Sequence, residues 1–291
     1  MILSTTEEII RKVRELEIRS RRLASHIFSG EYHSAFKGRG MLFKEVREYQ
    51  AGDDTRFIDW NVSARFGHPY SKVFEEEREL TVMLLVDISA SGLFGTLLRR
   101  KKDLITEICA LLAFAAINNN DKVGVVFFSD QVEWHIPPKK GRDHVLYIVR
   151  ELLTVEPKSK GTDLSNALRF FHNTTRQKSI AFILSDFIVG DYEDALRISA
   201  RKHDVTGIKV YDRMDMQLPD VGLLQLEDAE TGELRLVDTD DTIFRQMYAE
   251  RSLTAEEACK SIFLKSGADL LHMRTDDDHV RILQRFFKGR K

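Results

Sequence analysis

With 291 residues, 43% of them hydrophobic, the chain has enough apolar side chains for one large α/β domain with additions, or for two domains. Its charged fraction of 31% describes a solvated surface, and a formal net charge of −2 removes the electrostatic case for nucleic-acid binding. The longest uninterrupted apolar run, 108–117, is ten residues, where a membrane-spanning helix needs about 20. The N-terminus lacks the apolar core of a signal peptide, so the chain is expected to be cytoplasmic, with no membrane segment.

In chain order, the spacing predicts a helix over 5–28. Thr5 opens a capping signal, and Ile9, Ile10, Val13, Leu16, Ile18 and Leu23 supply its apolar stripe. The basic run 19–22 reads as a solvated helix face. Over 30–79 glycines, aromatics and alternating charges predict short strands and turns, with a turn at Gly52-Asp53-Asp54. Arg47, Asp53, Asp54, Arg56, Asp59 and Arg65 are expected to form a partly buried ion network, with a docking surface built from the same groups as the alternative.

From Leu80 the pattern is regular α/β. The run 82–86 is short and continuously apolar, as in a strand buried on both faces. A helix is expected over 98–118, its basic start at 99–102 reading as wet surface. A second buried strand follows at 122–128. An edge strand at 132–136 is ended by Pro137-Pro138, and a helix follows at 142–153. Thr162 or Asp163 caps the next helix, and 178–184 is a third strong strand. A helix over 191–202, a strand at 205–210 and a hairpin over 223–237 come next. A helix over 241–265, broken near Ser252, a strand at 268–273 and a closing helix over 276–287 complete the chain. Cys109 and Cys259 fall in helix-like surroundings and are expected to be reduced and non-catalytic.

Strands alternating with helices predict a doubly wound, Rossmann-like α/β fold with a mostly parallel sheet, preceded by the N-terminal helix and a small strand/turn segment. The expected division is 1–79 and 80–291. In such sheets ligands sit at the carboxyl ends of the strands. Asp87, Ser89 and Ser91 alternate just past the first strand, and Ser185-Asp186 follow the third. The loop carrying Thr162 and Asp163 should return to the same rim. Their oxygens suit a hard cation such as magnesium; alternatively, the triplet only caps the next helix.

These motifs also carry a resemblance. Asp87-Ile-Ser-Ala-Ser91, Gly161-Thr-Asp163 and Leu184-Ser-Asp186 resemble the three ligand loops of the von Willebrand factor A domain. In that family they form a metal-ion-dependent adhesion site, which implies Asp87, Ser89, Ser91, Thr162 and Asp186 as ligands here. Residues 43–79, with Arg-Glu-Tyr, Gly-Asp-Asp-Thr-Arg, Ile-Asp-Trp, Ser-Ala-Arg and Phe-Glu-Glu-Glu-Arg, resemble the bacterial domain of unknown function 58 family. Members often carry membrane segments ahead of these motifs, and this chain resembles the compact branch without them.

The resemblance implies a metal-dependent protein-interaction module. Its cofactor would be a divalent cation, expected to be magnesium, with manganese or calcium as alternatives. Its partners would be a MoxR-type AAA ATPase, a client protein presenting Asp or Glu, or both, in the assembly or maturation of other proteins. Two alternatives stand beside it, a metal-dependent hydrolase and a scaffold that leaves the metal site empty. No catalytic base, nucleophile or phosphate-cradling loop can be assigned in the sequence, so no enzyme activity is expected.

Overall fold

Every side chain from Val82 to Val86 is at most 1% exposed. They form β3 (Thr81–Asp87), the central strand of a six-stranded sheet. Burial on both faces explains why the run is continuously apolar instead of alternating. The computed structural model describes residues 6–28, 42–75, 79–96, 99–159, 161–227 and 232–290. Several sequence readings fall outside them: Thr5, residues 30–41, Glu76 to Arg78, Leu98, and Glu230-Thr231 of the hairpin turn.

The sheet order is β10-β7-β6-β3-β4-β5, where β4 is Lys122–Phe128, β5 Val132–Lys139, β6 Ile180–Ser185, β7 Asp204–Tyr211 and β10 Asp269–Arg274. All pairings are parallel except β4 with β5. The chain moves from β3 to β4 and β5 on one side, then crosses to β6 on the other. The strand order therefore reverses between β3 and β6, the place where a doubly wound sheet opens a crevice. The separate hairpin of β8 (Leu223–Glu227) and β9 (Leu234–Asp238) is antiparallel, as expected.

Alternate residues of β3 feed two cores. Val82, Leu84 and Val86 face α3 (Lys101–Asn118), α4 (Arg142–Thr154) and α9 (His279–Gly289), while Met83 and Leu85 face α5 (Leu164–Thr174), α6 (Glu193–Lys202) and α8 (Thr242–Ser266). α3 is buried almost all round, from Leu104 to Ala116, because a further helix covers its outer side. That cover is α1 (Thr6–Phe28), tied down by Arg19–Glu107 at 3.3 Å and Arg142–Glu17 at 2.6 Å. Helix α1 was expected to group with 43–79. It belongs instead to the α/β body, because its inner stripe of Val13, Leu16, Ser20 and Ala24 needs α3 to cover it. Ile10 and Ile18, expected in that stripe, face solvent.

Lys37–Glu79 is a second compact unit. In it β1 (Leu42–Glu48) pairs antiparallel with β2 (Tyr70–Glu75). Between them Asp59 caps the seven-residue α2 (Trp60–Phe66) by accepting from Asn61 N and Val62 N, and Gly67, at φ 75°, ends it. The expected ion network is instead a set of separate local pairs. Arg47–Asp53 is 2.8 Å, Arg56–Asp54 is 2.6 Å and Lys72–Asp59 is 3.3 Å. Each carboxylate also accepts from a nearby backbone N–H, which with its cation holds its pKa below the ordinary value. Short turns bring Asp53 and Asp54 to arginines close in sequence, while β2 brings Lys72 to Asp59.

Two further expectations are corrected. Pro137-Pro138 does not end β5, which continues to Lys139. An edge strand tolerates residues without an N–H, and a register shift between Val123 and Val125 accommodates the stretch. Helix α8 runs unbroken through Ser252, whose hydroxyl donates to Asp215 O at 2.8 Å. One close approach invites a test. A Cβ on Gly207 in β7 would run into the ring of the fully buried Phe263. Gly207→Ala is expected to cost about 1–3 kcal/mol by overpacking, read as a lower urea midpoint; an unchanged midpoint would show that the ring has room to move.

Candidate functional site

The three sequence-predicted loops meet on the carboxyl rim of the sheet. Asp87 ends β3, Ser185-Asp186 end β6, and Asp163 N donates to Ser129 O at 2.7 Å, which fixes the Thr162 loop beside the end of β4. Asp163 also caps α5 by accepting from Asn166 N at 2.9 Å.

Asp87 is 6% exposed and held through both oxygens. Its Oδ1 accepts from Ser89 N at 2.9 Å and its Oδ2 from Ser185 Oγ at 2.6 Å. Ser89 is buried, and its Oγ lies 3.2 Å from Ser91 Oγ. Burial pushes the Asp87 carboxyl up to about 6 and the charge of Asp186 adds to the rise, against the hydrogen bonds from Ser185 and Ser89. The turn after β6 holds Asp186 in turn. Ile188 N donates to its Oδ1 at 3.2 Å, while Phe187 adopts a positive φ of 55° and its N–H donates to Ser185 Oγ at 3.0 Å. The Phe187 ring is anchored edge-on against Phe263, with centroids 5.1 Å apart.

Of the five predicted residues, Asp87, Ser89 and Ser91 are linked directly, and Ser185 ties Asp87 to the strand that carries Asp186. Thr162 reaches the same rim, lining a groove with Phe187 and Ile188. Among the described residues it makes no hydrogen bond to the other four. The oxygens available to a cation are therefore two carboxylates and three hydroxyls. Among the described residues no group of three or more His, Cys, Asp or Glu is placed to hold a metal.

Ser185, read from the sequence as part of the polar end of the third strand, acts as a donor to Asp87. Lys101 and Asp215 were not foreseen, and Lys101 corrects the reading of 99–102 as wet surface. It is 3% exposed, with Nζ 3.2 Å from Asp186 Oδ2 and 2.8 Å from Asp215 Oδ2. Burial alone would lower its pKa; the charges of Asp186 and Asp215 overcome this and raise it. Asp215 lies in α7 (Arg213–Met216), where its Oδ2 accepts from Asp212 N at 2.7 Å. A signal was present in the sequence. Four cations at a helix N-terminus oppose the helix dipole, so at least one of them needs an anion from elsewhere in the fold.

His144 and His203 lie apart from this rim. His203 Nδ1 is 2.9 Å from Ser179 Oγ, and His144 Nε2 is 2.9 Å from Val123 O. Both partners sit at strand starts, the opposite edge of the sheet.

A doubly wound sheet with one antiparallel edge strand, and polar oxygen-bearing side chains gathered at its switch point, defines a von Willebrand factor A-like α/β domain. The family model described as "Protein of unknown function DUF58" matches residues 45–258, and the chain belongs to that family. An uncharacterised protein of Mycobacterium tuberculosis is 32% identical over 282 residues, which is 96% of this chain and 89% of that protein. Among solved structures, an aerotolerance-related membrane protein from Bacteroides fragilis, carrying multiple mutations to serines, shares the fold. Its TM-score is 0.50 at 14% identity, over 72% of this chain and 99% of that one. The SpRpn10 VWA domain aligns with a TM-score of 0.39 at 10% identity, over 71% of this chain and 94% of that domain. No helix among the described residues is long and apolar enough to cross a membrane.

Proposed function

We propose that the chain is a metal-dependent protein-interaction module. In this reading Asp87, Ser89, Ser91, Thr162 and Asp186 hold a divalent cation, expected to be magnesium with manganese or calcium as alternatives. The observation that carries it is the charge balance of the rim. Asp87, Asp186 and Asp215 set three carboxylates against the single ammonium of Lys101, leaving two negative charges. An excess of negative charge and an all-oxygen donor set suit a hard divalent ion. The Asp87 pKa is raised first by burial and then by the neighbouring Asp186 charge.

When bound, such an ion offers a Lewis-acidic position for an outside oxygen. This chain's part is to orient the ligands. Ser185 and the Ser89 N–H aim the Asp87 carboxylate, and the Phe187 turn aims Asp186. The partner group is a carboxylate from Asp or Glu of another protein. Exposed apolar side chains flank the rim, with Leu93 at 54% and Ile188 at 63%, and would add contact area around that carboxylate. Binding and not catalysis is the proposed role, in cooperation with a MoxR-type AAA ATPase in the cytoplasm during assembly or maturation of other proteins.

The test is retention of a MoxR-type AAA ATPase or a client on the immobilised full chain, with magnesium and with chelator. Asp87→Ala is expected to abolish the magnesium-dependent fraction. The fold should survive, because two donors losing an acceptor at about 1–3 kcal/mol each is offset by removing a carboxylate that repels Asp186. Metal-dependent retention unchanged in that variant would sink the reading.

A further inference from the structure

We propose that Lys101 is a tethered counter-cation that competes with the divalent ion at Asp186, and that Asp215 is the second berth to which its ammonium withdraws when an ion binds. This inference rests on the metal reading above. Lys101 Nζ reaches both carboxylates at once, at 3.2 Å from Asp186 Oδ2 and 2.8 Å from Asp215 Oδ2. The first of these oxygens belongs to a proposed ligand and the second does not. A cation on Asp186 would repel the ammonium from that side only. Yielding Asp186 requires a shift toward Asp215, which the flexible four-carbon stem permits while the backbone stays fixed by Lys101 N donating to Phe94 O at 3.0 Å.

The second berth is built in advance. Asp215 Oδ2 is held by Asp212 N at 2.7 Å, and its backbone carbonyl accepts from Ser252 Oγ at 2.8 Å. The position of Lys101 also argues against a purely structural cation. It begins α3, where the helix dipole disfavours positive charge, so the two carboxylates must supply its stabilisation. A buried ion pair at this place adds little to stability compared with apolar packing, but it sets how much charge an incoming ion has to displace.

Substitutions at Lys101 and at Asp215 should thus have opposite effects. Lys101→Met removes the competitor and should tighten divalent binding by about tenfold or more, within the usual range of coupling between adjoining sites. Asp215→Asn removes the refuge, leaves the ammonium on Asp186 alone, and should weaken binding by a similar factor. The Asn side-chain oxygen can still accept from Asp212 N, so the α7 turn is kept.

The experiment is calorimetric titration of the full chain with magnesium and with manganese, for wild type and both variants. It is paired with thermal melts in chelator and in excess metal. The expected result is tighter binding for Lys101→Met and weaker binding for Asp215→Asn. Lys101→Met should also melt lower than wild type in chelator and gain more on adding metal. If Lys101→Met does not fold without metal, the weakened binding of Asp215→Asn decides. Wild-type binding with unchanged or weaker binding by Lys101→Met overturns this inference alone, since Lys101 would then only brace Asp186. No saturable binding by wild type or either variant overturns the metal reading and this inference with it.

Discussion

Asp212→Ala is expected to lower the unfolding free energy by about 4 kcal/mol or more, from four hydrogen bonds converging on one fully buried carboxylate. Oδ1 accepts from Thr96 Oγ1 at 2.6 Å and Met214 N at 3.0 Å. Oδ2 accepts from Thr275 Oγ1 at 2.8 Å and Thr96 N at 3.2 Å. Burial alone would raise its pKa; donations from Thr96, Met214 and Thr275 outweigh it and hold the carboxyl below the ordinary value. Alanine strands these donors, each at about 1–3 kcal/mol where water cannot reach. Asp212→Asn repairs only part of the loss, because its amide nitrogen faces other donors. Urea denaturation at neutral pH should show a lower midpoint with unchanged slope. A loss under about 1 kcal/mol would mean that water replaces the carboxylate.

The variant also bears on the rim. Asp212 joins Thr96, on the approach to α3, to Thr275, just past β10, and its own N–H fixes Asp215. Loosening it frees the approach to Lys101 and the second carboxylate of its pair together. Lys101 and Asp215 are held through one buried acidic group that lies 116 residues from Thr96 in the chain.

That separation explains what was and was not legible in the sequence. β3 and β6 were readable because fully buried strands need continuous apolar runs, and their ends were readable because polar residues follow at once. Strand periodicity and parallel alternation then place Asp87 and Asp186 on one rim without further information. The same local logic failed at Lys101. A lysine in a basic run reads as solvated, and only the fold brings Asp186 and Asp215, 85 and 114 residues away, to its ammonium. It failed again at Ile18, which fits an apolar stripe by type but lies about 200° round the helix from Leu16. Pro137-Pro138 misled for a related reason: a proline ends a central strand but not an edge, and edge position is set by the sheet.

Acid should destabilise the protein through two buried histidines at the edges of the core. His203 is 2% exposed and stacks on Phe171 at 4.4 Å between centroids. Burial, the Lys202 charge and His172 lower its pKa to about 4. His279 is 5% exposed and is lowered to about 4 by burial and by Arg99 and Arg19. Glu107 lies only 3.6 Å from His279 Nε2, but both of these arginines already pair with that carboxylate and oppose a further proton. Both histidines therefore titrate lower in the folded chain than their ordinary value near 6.5. Between about pH 6.5 and 4 the unfolded chain binds more protons, so the contribution is complete above pH 6.5 and is lost as pH falls toward 4. The ceiling is about 3 kcal/mol per histidine. Asp87 acts the other way. Its folded pKa, about 6, lies above the unfolded value, so protonating it over the same window restores stability. In the wild-type slope the two histidines and the carboxylates held below their ordinary range, Asp212 among them, oppose Asp87. His203→Gln/His279→Gln should remove the share of these two histidines, leaving a chain that loses less stability than wild type from about pH 6.5 to 4.5. Urea denaturation of both proteins across that interval gives the comparison, and parallel pH profiles would show that neither histidine titrates below its ordinary range.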